Sequence, residues 1–255
     1  MNIEDTLTYG DIAETPELLE KFSARAGGLK KLALRSNGTV YMVGRGSSGT
    51  ATLFAKYIWE TYAGTITNFI HPHSIFEARK PLDFKGRAVW AFSQSGRSQD
   101  IVACLGKLMK WGAKGVAVTN EPDLKSNPLA RMAGRHILLS DSKELPVAAT
   151  KSFELQLWAV LWTAQAWERC FSDRDFKATI AAARKAVDDD YGGPELLKRI
   201  KKAGMLGFVG RGALNAVAED SALKFREMSK THALGYSAAE FLHGPIGAYG
   251  PKDIV

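Results

Sequence analysis

Val43-Gly44-Arg45-Gly46 returns later in the chain as Val209-Gly210-Arg211-Gly212. Each copy follows a short apolar run and precedes an Ala-containing helical pattern. A supersecondary signature that occurs twice points to two copies of one module. The spacing that carries Arg45 onto Arg211 carries Ala88, where the first copy's third strand begins, onto Ile254, beside the last residue, Val255. The second module is therefore expected to hold only the start of its sheet. A parallel sheet cut there exposes an apolar edge that something must cover, so the chain is expected to be either a natural truncation or a fragment.

Hydrophobic periodicity fills in the rest. Thr15-Pro16 has the cap-then-proline form of a helix start, which predicts an amphipathic helix over Glu17–Ala33. Strands are predicted at Val40–Val43, Ile66–Ile70, Ala88–Phe92, Gly115–Thr119 and His136–Leu139. Helices are predicted between them at Thr50–Tyr62, His73–Arg79 and Gln99–Trp111. Strands alternating with helices across short Gly- or Ser-rich turns predict an α/β fold, a doubly wound parallel sheet flanked by helices, with ligands beyond the carboxyl ends of the strands. Three helical patterns follow, Ala149–Arg169, Phe176–Asp190 and Pro194–Lys202, and the second module then carries a helix over Asn215–Met228. The expected organisation is a helical leader over 1–39, a first module over 40–172, a helical linker over 173–203 and a partial second module over 204–255.

Composition bounds the function classes. With 255 residues, 45% hydrophobic and 24% charged, the chain can bury a core of one or two domains. Met1–Leu7 is acidic and lacks an apolar signal region, and no apolar run is long enough to span a bilayer, so a cytoplasmic protein without membrane attachment is expected. Cys104 and Cys170 lie in helix-like apolar patterns and read as buried free thiols; no cysteine–histidine cluster has metal-ligand spacing, so no metal or other cofactor is expected. The net charge of +7 is spread along the chain without a basic run, which argues against nucleic acid and suits phosphorylated small molecules.

Two loops carry the chemistry. Gly44-Arg45-Gly46-Ser47-Ser48-Gly49 matches the glycine pattern of a dinucleotide turn. The next strand, however, is followed by His71-Pro72-His73 and not by an acid that could hold a ribose. Ser93-Gln94-Ser95-Gly96-Arg97-Ser98 stands between a buried strand and a helix. Its three hydroxyls, amide and helix-start N–H groups suit a phosphate dianion, although Ser-rich turns also serve simply as helix caps. On the helix Asn215–Met228, Lys224 and Glu227 stand at i and i+3 and share a face; a surface ion pair is the plain alternative.

Gly46-Ser47, Ser93-Gln94-Ser95-Gly96, Glu144 with Pro146-Val147-Ala148-Ala149-Thr150-Lys151, the Lys224–Glu227 helix and Glu240-Phe241-Leu242-His243-Gly244-Pro245 fall in one order along nearly the whole chain. In that order they resemble the tandem sugar-isomerase (SIS) family, which includes the isomerase half of glucosamine-6-phosphate synthase. The resemblance implies a sugar phosphate held by Ser47, Ser93, Gln94, Ser95 and Ser98, with Val147 and Glu144 lining the sugar. It implies Glu227 as the base that moves a proton between C1 and C2, Lys224 as a partner for the enediol-like charge, and His243 as the ring-opening residue. The resemblance also implies a homodimer with shared active sites, in which His243 reaches the neighbouring subunit's site. Arg45 and Arg97 resemble the glucosamine-6-phosphate deaminase branch.

The expected function is thus a phosphosugar isomerase/deaminase that releases ammonia and a ketose phosphate from an amino-sugar phosphate such as glucosamine 6-phosphate. No glutaminase module is present, and the chain begins Met1-Asn2, so glutamine-dependent amination is not expected of it. The family's further C-terminal lysine falls beyond Val255. A non-catalytic phosphosugar-binding regulator, or an incomplete SIS protein, is the alternative. Retention of Lys224, Glu227 and His243, and the lack of a helix-turn-helix pattern before Val40, weigh against a regulator.

Overall fold

The computed structural model describes residues 3–145, 147–189 and 193–255. Helix α1 (Leu7–Arg25) and the single turn α2 (Leu29–Leu32) lead into β1 (Thr39–Val43), α3 (Ser47–Ala63), β2 (Ile66–Phe69), α4 (Pro72–Phe76), β3 (Ala88–Phe92) and α5 (Gln99–Lys110). Next come β4 (Lys114–Thr119), α6 (Pro128–Ala133), β5 (His136–Leu138), α7 (Lys151–Glu168), α8 (Asp173–Asp188) and α9 (Gly193–Lys202). The second module supplies β6 (Leu206–Gly210), α10 (Leu214–Ser229), β7 (Ala233–Ser237) and α11 (Ala238–Leu242).

The five strands of the first module form one parallel sheet in the order β2-β1-β3-β4-β5. Strand β3 is apolar at every position because it sits at the centre and is covered on both faces; all five of its residues are buried. One face packs against α1, α3 and α7, and the other against α5 and α6. In α5 the buried residues Ile101, Cys104, Leu105 and Leu108 recur at helical spacing, which is why that pattern is legible. The three buried indoles of this core each have a carbonyl partner: Trp59 Nε1 donates to Val160 O at 3.0 Å, Trp90 Nε1 to Leu34 O at 2.7 Å, and Trp158 Nε1 to Leu19 O at 3.1 Å.

The repeat is also structural. A Cβ on Gly44 would lie 2.6 Å from the Ser48 carbonyl oxygen, and one on Gly210 would lie 2.2 Å from that of Leu214, so both strand-to-helix turns require glycine. Gly46 and Gly212 share a left-handed φ, +54° and +60°. Strands β6 and β7 pair in parallel as β1 and β2 do. Leu206 N donates to His232 O on the β7 side, and the next amide, Gly207 N, donates to Ile254 O at 2.7 Å on the opposite side. Ile254 also forms a parallel bridge with Leu206, so the residue expected to begin a third strand occupies that strand's place.

Three expectations need correction. Helix α1 starts at Leu7, not Glu17: the Thr6 hydroxyl caps it by accepting from Tyr9 N, and Pro16 lies inside. Thr15 is buried, and its hydroxyl donates back to Asp11 O at 3.1 Å, so it is not a cap. The earlier turns are held by Asp11, which is buried against Lys151. Cys170 is half-buried, not buried, because α7 ends at Glu168 and Arg169 turns the chain with a φ of +53°. Helix α6 and strand β7 join the expected elements; Asn127 caps α6 with Pro128 in its first turn. Asp190, the expected end of α8, and Pro146 lie outside the described residues.

Among the described residues no helix is long and apolar enough to cross a membrane. Among the described residues no group of three or more His, Cys, Asp or Glu side chains could hold a metal ion.

Candidate functional site

The loop after β1, the loop after β3 and the segment following β5 meet at the carboxyl ends of the strands, where open α/β sheets bind ligands. Helix α10 of the second module closes the cleft. The resulting pocket, about 240 Å³, is lined by Arg45, Ser47, Ser48, Ser93, Gln94, Ser95, Ser98, Glu144, Val147, Lys224 and Glu227, among others. Every residue expected to grip phosphate or line sugar is among them. A roomier apolar groove of about 520 Å³, framed by Phe54, Phe153, Leu157 and Trp158, lies beside it and shares Lys224; the polar groups converge in the smaller pocket.

The serine loop is rigid by construction. Ser93 Oγ accepts from Gly96 N at 3.2 Å and pairs with Ser98 Oγ at 3.2 Å, and Ser95 Oγ accepts from Arg97 N at 3.2 Å. The backbone is pinned where Asn120 N donates to Gln94 O and Leu129 N to Gly96 O. Gly96 has φ +65°, and a Cβ there would lie 2.0 Å from Asn127 Oδ1. Asn127 cannot easily yield, since it accepts from Ala130 N and donates to Thr119 Oγ1 and Glu121 O. Ser47 opens α3 and Ser98 immediately precedes α5, so the loops present two helix N-termini to one cavity, a favourable field for a dianion.

Across the pocket, Lys224 Nζ donates to Ser47 Oγ at 2.8 Å and to Glu227 Oε2 at 2.9 Å. Lys224 is half-buried and Glu227 exposed, and the Lys224 ammonium joins the second module to the phosphate loop. Beneath it lies Asp220, which is buried and stands 3.0 Å from Thr50 Oγ1. Burial pushes the Asp220 carboxyl above its ordinary range; the Ser47 hydroxyl, the Lys224 charge and the Thr50 hydroxyl oppose that shift.

Two expected residues have other surroundings than their assigned roles suggest. Glu144 lines the pocket, but one carboxylate oxygen accepts from Thr150 N at 2.7 Å and Ser152 N at 3.1 Å, and the other binds Ser152 Oγ, so the side chain caps α7. His243 ends α11, is exposed, and does not line the pocket. Val147 lines the pocket while fully exposed at the loop tip. Arg45 lines the pocket and pairs with Asp100 at 2.8 Å, whereas Arg97 turns away to Glu121 and the Ser126 carbonyl.

Sequence reasoning missed Asp220, Thr50 and Gln156, the last donating to Ser48 Oγ at 3.0 Å from a buried position on α7. Asp220 had a signal: it stands one helical turn before Lys224 on the same face. The other missed feature is Lys151, buried at the start of α7, where it pairs with Asp11 at 2.8 Å and Glu14 at 3.0 Å and donates to Ser142 Oγ. Burial alone would pull the Lys151 ammonium down, but the bonds and charges of Asp11 and Glu14 outweigh it and raise it.

Comparison with known proteins places this geometry. The chain is 33% identical over 251 residues to the glutamine–fructose-6-phosphate aminotransferase (isomerizing) of Pyrobaculum aerophilum, covering 92% of this chain and 40% of that relative. It spans about two fifths of the length of the curated relatives it matches. A candidate phosphosugar isomerase from Silicibacter pomeroyi superposes with a TM-score of 0.79 at 30% identity, over 95% of this chain and 75% of that one. Glucosamine-6-phosphate deaminase from Thermotoga maritima shares the fold, with a TM-score of 0.80 at 23% identity over 98% of this chain and 76% of that one. The SIS domain profile matches residues 33–166 and 199–255, the two segments that build the pocket. With its repeated strand–turn–helix unit and its serine loops at the sheet's carboxyl edge, the chain belongs to the SIS domain family.

Proposed function

We propose that the chain is a phosphosugar isomerase/deaminase acting on an amino-sugar phosphate, with glucosamine 6-phosphate as the preferred substrate. One observation carries the reading: a pocket that places serine hydroxyls and helix N-termini on one wall and the Lys224–Glu227 pair on the other. A phosphate on the first wall sets a short carbon chain across to the second.

In the open-chain aldehyde, the Glu227 carboxylate removes the proton from C2 and returns it to C1, while the Lys224 ammonium stabilises the charge that develops on the C1 oxygen. The nitrogen-bearing C2 is then an imine. Water adds to C2, the C–N bond breaks, and ammonia leaves with fructose 6-phosphate. Overall, one amino-sugar phosphate and one water become one ketose phosphate and one ammonia. Glu144 and Val147 border the sugar, the former by fixing the loop between them and α7.

Ring opening falls to His243. Since that residue lies outside the pocket of its own chain, the reading includes a homodimer in which a second copy brings His243 to the site, where it relays a proton to the ring oxygen.

The test is a product assay on glucosamine 6-phosphate, with ammonia and fructose 6-phosphate measured in parallel. Equimolar appearance of both supports the deaminase reading. Interconversion of unaminated aldose and ketose phosphates without ammonia would restrict the chain to isomerisation, and phosphosugar binding with no turnover would leave the regulator reading standing.

A further inference from the structure

The serine-loop pocket lies at the carboxyl ends of the strands, and a second cavity opens at their amino ends. It measures about 460 Å³ and is lined by Arg35, Ser36, Asn37, Lys85, Arg87 and Lys114, among others. Arg35 lies in the approach to β1, Arg87 immediately precedes β3, and Lys114 opens β4. These strands are neighbours in the sheet, so four cations from separate stretches of sequence meet in one concavity. Its rim is tied together: Ser36 Oγ donates to Gly86 O at 2.7 Å, Gly86 N to Gly112 O at 2.8 Å, and Lys114 N to Arg87 O at 2.8 Å.

Among the described residues no acid lines this cavity. Glu168 pairs with Arg35, whose guanidinium also donates to Thr65 Oγ1 at 3.3 Å, and Asp83 accepts from the Lys85 backbone amide at 3.2 Å. The side chains of Lys85, Arg87 and Lys114 have no hydrogen-bond or ion-pair partner among the described residues. A cleft lined by one sign of charge focuses its field and concentrates counter-ions.

We propose that this cavity binds the polyphosphate chain of a small molecule. Adjacent strands stand about 5 Å apart, so cations borne by three neighbouring strands spread over roughly 10 Å, wider than one phosphate group. Guanidinium and ammonium donors make charge-assisted bonds to phosphoryl oxygens, with Arg87 able to engage two of them at once. No aromatic ring lines the cavity to stack a base, so the phosphate chain is the part recognised. The site and the serine loops lie at opposite edges of one parallel sheet and can be filled together.

Calorimetric titration of tripolyphosphate into the full chain at physiological ionic strength tests this, with each variant checked by thermal unfolding. Arg87→Gln and Lys114→Gln should each weaken binding about tenfold. Ser95→Ala, in the serine-loop pocket, and Lys198→Gln, which removes the same charge from α9, should leave it unchanged. Equal weakening in Lys198→Gln would reveal diffuse attraction to a basic protein and overturn the proposal. Loss in Ser95→Ala with none in the Arg87 and Lys114 variants would place the anion in the other pocket and overturn it too. If Arg87→Gln does not fold, unchanged affinity in Lys114→Gln is sufficient to overturn it, as is failure of the unaltered chain to bind tripolyphosphate. ATP in a parallel titration separates the sources of the chain. Affinity equal to that of tripolyphosphate assigns the site to the phosphates alone, and tighter binding that Lys114→Gln also weakens assigns it to a nucleoside triphosphate.

Discussion

Lys224 and Ser47 stand 177 residues apart in sequence and 2.8 Å apart in space, the ammonium of one module donating to the hydroxyl of the other. That contact places the proposed proton-transfer residues opposite the phosphate loops. It also means that the site is built only when α10 is docked on α3.

Ser95→Ala removes one donor to a dianion and the acceptor of Arg97 N, and leaves the backbone-to-backbone bonds at Gln94 and Gly96 in place. Hydrogen bonds to charged groups contribute about 1.5–3 kcal/mol. KM for the sugar phosphate should therefore rise roughly ten- to a hundredfold with kcat little changed. Steady-state kinetics check this, and an equal loss in kcat would count against a purely phosphate-gripping role.

Gly96→Ala should damage the site through the backbone. The left-handed conformation costs about 1–2 kcal/mol for a residue with a Cβ, and that atom would also strike Asn127 Oδ1. The expected result is a melting temperature several degrees lower, together with weakened phosphate binding. An unchanged Tm would show that Asn127 gives way.

Lys151→Met removes the cation from a buried cluster and leaves Asp11 uncompensated. Breaking a buried pair in this way costs about 3–5 kcal/mol. A large fall in Tm is expected, with part of it recovered in the Lys151→Met/Asp11→Asn double variant. No recovery would mean that the loss is one of packing.

The same cluster sets an acid limb of stability. The Ser142 hydrogen bond, with the bond and charge of Lys151, holds the Glu14 carboxyl below its ordinary value against a desolvation that opposes them. A carboxyl depressed in the folded state contributes stability above its unfolded pKa and loses it as pH falls through the folded one. Melts of the unaltered chain and Glu14→Gln should therefore differ at pH 6–7 and converge below the ordinary Glu value of 4.5. A difference that persists at acid pH would contradict the assignment.

Much of this was legible beforehand, for identifiable reasons. Ala88–Phe92 is apolar at every position because it is buried on both faces, and the glycines of the two Val-Gly-Arg-Gly turns are fixed by carbonyl contacts at Ser48 and Leu214. Such local demands write themselves into sequence. The true start of α1 was not legible, because Asp11 is held by Lys151, a partner remote in sequence, which overrides the Thr15-Pro16 signal. Asp220 was hidden for a similar reason: its partner Thr50 lies in the other module. The assignment of His243 drew on resemblance alone, and its own chain leaves it exposed and outside the pocket.

The most direct test of the central claim, that Glu227 moves a proton on a sugar held by the serine loops, is solvent deuterium incorporation. Glucosamine 6-phosphate is incubated with the chain in D2O, and label at C1 and C2 is followed by NMR, beside Glu227→Gln. The account expects label from the unaltered chain and a loss of about 10²–10⁴-fold in its rate in the variant, with sugar-phosphate affinity retained. Equal labelling by both proteins would contradict it.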